Sequence, residues 1–159
     1  MAYILNIETS TTNCSVAVSY NGKQISLKED NNKQYSHAER LHLYIEEVLN
    51  TAKINTKNLD AISVSMGPGS YTGLRIGVSS AKGLCFALSV PLIAIPTLDS
   101  LSRKIKISDG YIVPLIDARR MEIYTAIFDP NYSCIEPTST KILEHTSYLK
   151  YLESGSVYF

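Results

Sequence analysis

Residues 63–88 read SVSMGPGSYTGLRIGVSSAKGLCFAL. A β-rich run enters a Gly-Pro-Gly turn and the turn opens a long helical pattern, which points to an α/β layer structure. A glycine-rich turn at a helix start offers backbone N–H groups and the positive end of the helix dipole to a phosphate. The phosphate-binding motifs themselves do not fit. A Walker A loop requires G-x-x-x-x-G-K-[ST], and no Gly-Lys-Ser or Gly-Lys-Thr occurs in the chain. Gly67, Gly69 and Gly73 are spaced G-x-G-x-x-x-G, one residue off the dinucleotide fingerprint, and the unit in front of them reads as antiparallel rather than βαβ. A tight turn at Gly67 and Gly69, with Ser70 or Thr72 capping the helix, accounts for these residues without a ligand.

The helix behind the turn, from about Thr72 to Leu88, is apolar nearly all round. Between Leu74 and Leu88 its polar residues are Arg75, Ser79, Ser80 and Lys82. Such a helix needs cover on more than one side. Gly73, Gly77, Ala81 and Cys85 follow one another at four-residue spacing and form a small-residue line that lets another backbone approach closely. One side suits a sheet. The other wants a partner helix, from residues 37–52 of the same chain or from another subunit.

Upstream, YILNIET (3–9) and CSVAVSY (14–20) are strand-like runs joined by Ser10-Thr11-Thr12-Asn13, and Asn21-Gly22 is a hairpin signal leading into KQISLKE (23–29). Three consecutive antiparallel strands are expected. Ser36-His37-Ala38-Glu39 fits a capping box, and Leu41, Ile45, Val48, Leu49 and Ala52 follow at helical spacing. LDAISVSM (59–66) is a strand, PLIAI (91–95) another, and Thr97 is expected to cap the helix TLDSLSRK (97–104). The order suits an α/β structure with a mixed five-stranded sheet and flanking helices. After the polar stretch at 102–110, YIVPLIDA, MEIYTAIFD and SCIE again read as strands in hairpin order, so the opening pattern repeats. The chain ends in SGSVYF, which reads as a strand just begun. The expected organisation is a first lobe over 1–103 and a truncated second lobe over 104–159.

Fifteen Lys and Arg balance fifteen Asp and Glu, which gives no support to a general electrostatic grip on nucleic acid or an anionic membrane. The N-terminal MAYILNIETS has no basic n-region, and Asn6 and Glu8 interrupt its apolar run, so neither a signal peptide nor a membrane span is read and a cytoplasmic location is expected. Cys14, Cys85 and Cys134 are odd in number, far apart and embedded in apolar segments, as free buried thiols are. His37 and His42 are five apart, about 140° round a helix, and cannot hold one metal from a regular helix; His145 has no matching ligand in sequence. Glu8, followed by Thr9, Ser10, Thr11 and Thr12, has two readings: orienting a metal-bound water or phosphate, or closing a turn.

Taken together, IETSTTNCSVAV, SHAERLH, SMGPGSYTGLRIGVSSAKGL, IPTLDSL and PLIDARRMEIYTA, in that order over about residues 3–129, resemble the TsaB (YeaZ) family. The resemblance implies the actin, hexokinase and Hsp70 superfamily, with two RNase H-like lobes of which the second is incomplete here. It implies a non-catalytic subunit that pairs with TsaD and, with TsaE, supports threonylcarbamoyl transfer to N6 of the adenosine beside the anticodon in tRNAs reading codons that begin with A. Homodimers are implied where TsaD is absent, and tRNA is met only through the complex. TsaD carries its metal on a His-x-x-x-His helix; the corresponding helix here reads His37-Ala-Glu-Arg-Leu-His42, without that pair.

By the same resemblance, the candidate partner-facing positions lie on the two helices, at Leu41, Tyr44, Ile45 and Val48 and at Leu74, Val78, Ala81 and Cys85, with the division between partner and own core left open. Gly67, Gly69, Ser70, Thr72 and Arg75, with Asp117 and Arg119 of the Ile-Asp-Ala-Arg motif, are candidates for contact with ATP or ADP at the shared interface. No catalytic residue, metal or cofactor of the chain's own is expected. Glu8 stands where the superfamily commonly has Asp, and its longer side chain places the carboxylate differently. The competing class is an enzyme of the same superfamily, an ATP-dependent phosphotransferase or an M22-type metallopeptidase, which would need a nucleophile or metal set absent from the motifs above.

Overall fold

The computed structural model describes residues 1–30 and 37–159. The capping box expected at Ser36–Glu39 begins outside the described residues. The chain divides into two compact units, Met1–Ile95 and Pro96–Phe159.

In the first unit, β1 (Tyr3–Glu8), β2 (Cys14–Tyr20) and β3 (Lys23–Asp30) form the expected antiparallel meander. The chain then passes through α1 (His37–Ala52), β4 (Ala61–Gly67), α2 (Tyr71–Leu88) and β5 (Leu92–Pro96). The sheet order is β3-β2-β1-β4-β5, with β4 parallel to β1. Period-two alternation explains which face is covered. Leu5 and Ile7 of β1, Cys14, Val16 and Val18 of β2, and Ile62 and Val64 of β4 point to one side and pack with Leu41, Tyr44, Ile45, Val48 and Leu49 of α1 and Ala81 of α2. Between them lie polar Asn6, Ser15 and Ser63 and the small Ala17. Ser63 Oγ donates to Asn6 Oδ1 (2.7 Å), and Asn6 Nδ2 donates to Ser19 Oγ (3.2 Å), which ties β4, β1 and β2 on the other face. At the edge, Ser26 of β3 points inward and its hydroxyl donates to the Val48 carbonyl of α1 (2.9 Å).

Ser70 caps α2, accepting from Gly73 N (3.3 Å), so of the two expected caps it is Ser70 that serves and Thr72 lies inside the helix. The helix ends on Ser89 in the left-handed conformation (φ 57°).

The second unit opens with α3 (Thr97–Ser102). Its N-cap is Pro96; Thr97 is the first helical residue, and its buried hydroxyl has no hydrogen-bond partner, so the expected threonine cap is not made. The helix is also shorter than TLDSLSRK. The run YIVPLIDA is not one strand. Pro114 lacks the N–H a ladder needs, and the run splits into β6 (Tyr111–Ile112) and β7 (Leu115–Arg119). Both stay in one register along β8 (Glu122–Phe128), with Ile112 opposite Phe128 and Leu115 opposite Thr125. SCIE proves to be the start of a nine-residue strand, β9 (Cys134–Ile142), antiparallel to β8. After α4 (Leu149–Leu152), β10 (Val157–Tyr158) runs parallel to β6, as SGSVYF led one to expect of a strand.

The second unit therefore repeats the first: an antiparallel three-strand meander, a helix, then a strand parallel to the first. Its β8 is covered on both faces, by Val113, Tyr148 and Tyr151 around Ile123 and Ile127, and by Leu98 and Ile112 around Ala126 and Phe128. This is the RNase H-like architecture expected from the sequence, with the second sheet partial.

Candidate functional site

The C-terminal ends of β1 and β4 deliver Glu8 and Ser65 side by side, because the strands are parallel neighbours in register. Glu8 closes a turn: Oε1 accepts from its own loop at Ser10 N (2.7 Å), and Oε2 accepts from the Ser65 hydroxyl. Of the two readings open for Glu8, the structure shows the turn. The β1–β2 loop is then joined to the Gly-Pro-Gly turn, since Ser70 N donates to Ser10 O (2.6 Å). Gly67 (φ 110°) and Gly69 (φ 155°) take conformations that L side chains rarely adopt, and a Cβ on Gly69 would lie 2.7 Å from Ser10 Cβ. Three donors that a phosphate would draw on, the amides of Ser10, Ser70 and Gly73, thus already have acceptors within the chain. Within the same loop, the Ser10 hydroxyl and Asn13 Oδ1 are buried without a hydrogen-bond partner. Thr72 is exposed, and the Arg75 guanidinium stacks over the Tyr71 ring at 4.0 Å.

Asp117 and Arg119 belong to the other unit, at the tip of the β7–β8 hairpin. Asp117 Oδ1 accepts from the backbone amide of Arg119 (2.7 Å), an Asx-type turn that fixes the tip. Arg119, Arg120 and Met121 then follow in three successive left-handed conformations (φ 72°, 57° and 63°), with all three side chains exposed. The hairpin is the one expected from sequence, but its positive φ run is not legible there, since the double arginine carries no turn signal.

The two long helices are neighbours in the first unit, with His42 Nε2 and Ser80 Oγ 3.4 Å apart. The residues expected to face a partner divide sharply. Leu41, Tyr44, Ile45, Val48 and Ala81 are buried and hold the helices to the sheet, Leu41 at 0% exposure. The amphipathic stripe of α1 is consumed by its own core, so these five are turned inward rather than outward. Leu74, Val78 and Cys85 are half-buried. Large apolar side chains that do reach solvent include Leu43 on α1, 62% exposed, and Phe86 on α2, 91% exposed, with the Tyr71 ring exposed at the start of α2. Sequence reasoning passed over Leu43 and Phe86. The signal for Leu43 was its angle, two residues and about 200° from Leu41 on the helical wheel. The small-residue line of α2 is also internal: Gly73, Gly77 and Ala81 are buried.

The electrostatics are local. Arg40 pairs with Asp30, which also accepts from the Tyr44 hydroxyl (3.1 Å). Of the three thiols expected to be buried, Cys14 is buried, Cys85 half-buried and Cys134 exposed. Burial pushes the thiols of Cys14 and Cys85 up, partly opposed at Cys14 by the Arg40 charge. In the second unit, the hydrogen bond to Glu136 holds the Tyr151 phenol up to about 12. Among the described residues, no group of three or more His, Cys, Asp or Glu is placed to share a metal ion, and no helix is long and apolar enough to cross a membrane.

The family model described as "TsaD: tRNA N6-adenosine threonylcarbamoyltransferase" matches residues 31–147. Among curated proteins, the chain is similar to "tRNA threonylcarbamoyladenosine biosynthesis protein TsaB" of Bacillus subtilis, 37% identical over 64% of this chain and 44% of that one. It is also similar to the protein of the same name from Haemophilus influenzae, 34% identical over 76% of this chain and 51% of that one. The chain thus spans about half the length of these relatives. Among solved structures, YeaZ from Pseudomonas aeruginosa superposes with a TM-score of 0.74 at 29% identity, covering 90% of this chain and 68% of that one. With a family model matched over most of its length and TsaB proteins among its relatives, the chain belongs to the threonylcarbamoyltransferase family, in its TsaB (YeaZ) branch.

Proposed function

We propose that the chain serves as a non-catalytic, activating subunit that pairs with a TsaD-type transferase for threonylcarbamoyl transfer to N6 of the adenosine beside the tRNA anticodon. The names of its TsaB relatives supply the process, tRNA threonylcarbamoyladenosine biosynthesis. The observation that carries the pairing is the outward surface of α1 and α2. Phe86 and Leu43 stand in solvent on adjacent helices whose inner faces are already filled by the core. Full exposure of an aromatic side chain leaves apolar area that a partner covers, and buried aromatic anchors dominate interface energetics.

In this reading Leu74, Val78 and Cys85 border the contact, while Leu41, Tyr44, Ile45, Val48 and Ala81 support it from beneath. TsaE joins through the complex, tRNA is engaged by the complex rather than by this chain alone, and without the transferase the same surface pairs with a second copy. The chain brings no metal and no cofactor of its own. ATP or ADP belongs at the surface shared with the transferase, with Gly67, Gly69, Ser70, Thr72, Arg75, Asp117 and Arg119 as the residues to test. The complex works in the cytoplasm.

The test is to mix the protein with the transferase of the same organism and follow complex mass by native mass spectrometry. A one-to-one complex that weakens when Leu43 and Phe86 are both changed to Ala is expected. No complex, or one indifferent to both substitutions, overturns the proposal.

A further inference from the structure

We propose that Thr9 is a positioning residue for helix α2, and through it for the outward α1–α2 surface assigned above to a partner; the functional part of this inference rests on that assignment. Thr9 follows β1 directly and is buried. Its hydroxyl donates to the Gly73 carbonyl of α2 at 2.8 Å. A Cβ added at Gly77 would collide with that same Oγ1 and would sit 3.4 Å from the Thr9 Cβ and Cγ2. The threonine side chain therefore occupies a notch that the two glycines cut in the helix. One residue on, Ser10 holds the start of the helix: its carbonyl accepts from Ser70 N (2.6 Å), and its Cβ lies where a side chain on Gly69 would go.

Consecutive residues of one loop thus fix the helix at two points along its axis, at Ser70 and at Gly77. At 1.5 Å rise per residue the second point lies about 10 Å from the first, and Phe86 lies about 24 Å from it. A helix pivoting about its cap converts any displacement at Gly77 into one a little over twice as large at Phe86. The small-residue line of α2 then has a purpose other than close approach of a second helix. It sets the angle at which the far end of α2 is presented.

The test uses the full chain and four variants: Gly77→Ala, Thr9→Ala, the two combined, and Phe86→Ala. Each is titrated calorimetrically with the transferase of the same organism, at a temperature where circular dichroism shows every variant folded. Gly77→Ala, an overpacking change, is expected to weaken binding about tenfold. Adding Thr9→Ala removes the Oγ1 that the new methyl meets and is expected to restore most of the affinity. Normal binding by Gly77→Ala while Phe86→Ala binds poorly overturns the proposal, as does failure of Thr9→Ala to restore binding. Unchanged binding by Phe86→Ala removes the partner assignment instead. Positioning is then read from the ring resonances of Phe86 in the free protein: movement in Gly77→Ala and return in the double variant support it, and unmoved resonances overturn it. If Gly77→Ala alone does not fold, recovery of folding by Thr9→Ala supports the notch, and an unfolded double variant overturns it.

Discussion

Replacing Leu41 and Leu43 by alanine, one at a time, tests the orientation of α1 on which the partner surface depends. The two residues have the same chemistry and lie two positions apart, yet Leu41 is fully buried in the core of the first unit, while Leu43 is 62% exposed. Leu41→Ala removes three buried carbons, worth about 2.4 kcal/mol in transfer, and with the cavity left behind the cost rises to about 3–4 kcal/mol. Against a typical domain stability of about 5–15 kcal/mol, that is a large share. With a urea m-value of about 1–3 kcal/mol/M, the unfolding midpoint should fall by about 1–4 M. Leu43→Ala touches no core and should stay within about 0.5 kcal/mol of the parent. The assay is urea unfolding followed by circular dichroism, with partner affinity measured on the same samples. Leu43→Ala should lower affinity at an unchanged midpoint. Equal midpoints for the two variants, or the larger loss from Leu43→Ala, would refute the orientation described here.

Three further outcomes are expected. The Tyr151 phenol, held up to about 12 by its hydrogen bond to Glu136, keeps its proton in the folded state where the unfolded chain releases it near 10. Its contribution to stability is therefore complete below about pH 10 and is lost as pH rises through about 12; Tyr151→Phe should flatten the urea midpoint over that range, and an unchanged profile would contradict the assignment. Iodoacetamide at neutral pH should alkylate exposed Cys134 first and Cys14 last, since burial raises the thiols of Cys14 and Cys85; peptide mapping against time reads the order. Ser70→Ala deletes the N-cap of α2 and should cost about 1 kcal/mol in urea unfolding, where Thr72→Ala costs less.

The opening meander was legible because its signals were local. Alternation in CSVAVSY and the Asn21-Gly22 hairpin depend on neighbours in sequence, and the left-handed Asn21 (φ 50°) and Gly22 (φ 77°) confirm the turn chemistry. The two long helices, α1 and α2, are legible for the same reason, whereas the short α4 carries no such signal. What sequence did not show was set by contacts distant along the chain. Gly73 and Gly77 read as a seat for another helix, because spacing gives the groove but not what fills it; the occupant is a single threonine sixty-four residues away from Gly73. Thr97 looked like a cap, but the capping residue must lie outside the helix, and the φ fixed by Pro96 starts the helix one position earlier. The stripe of α1 is legible as apolar, but spacing does not say whether its own sheet or a partner covers it; an amphipathic helix spends that stripe on its own sheet first. Glu8 has two readings in sequence because its neighbour Ser65 reaches it only through the parallel register of β1 and β4.

The role proposed above, in which this chain activates a transferase and performs no chemistry itself, is open to direct measurement. The most direct measurement is threonylcarbamoyl transfer to tRNA by the transferase of the same organism, with and without this protein, and with His37, His42 and Glu8 each changed to Ala. The account predicts that transfer depends on the protein and persists with all three alanine variants at saturating concentration. Transfer that is indifferent to the protein, or that is abolished by one of those alanines while the complex still forms, would contradict it.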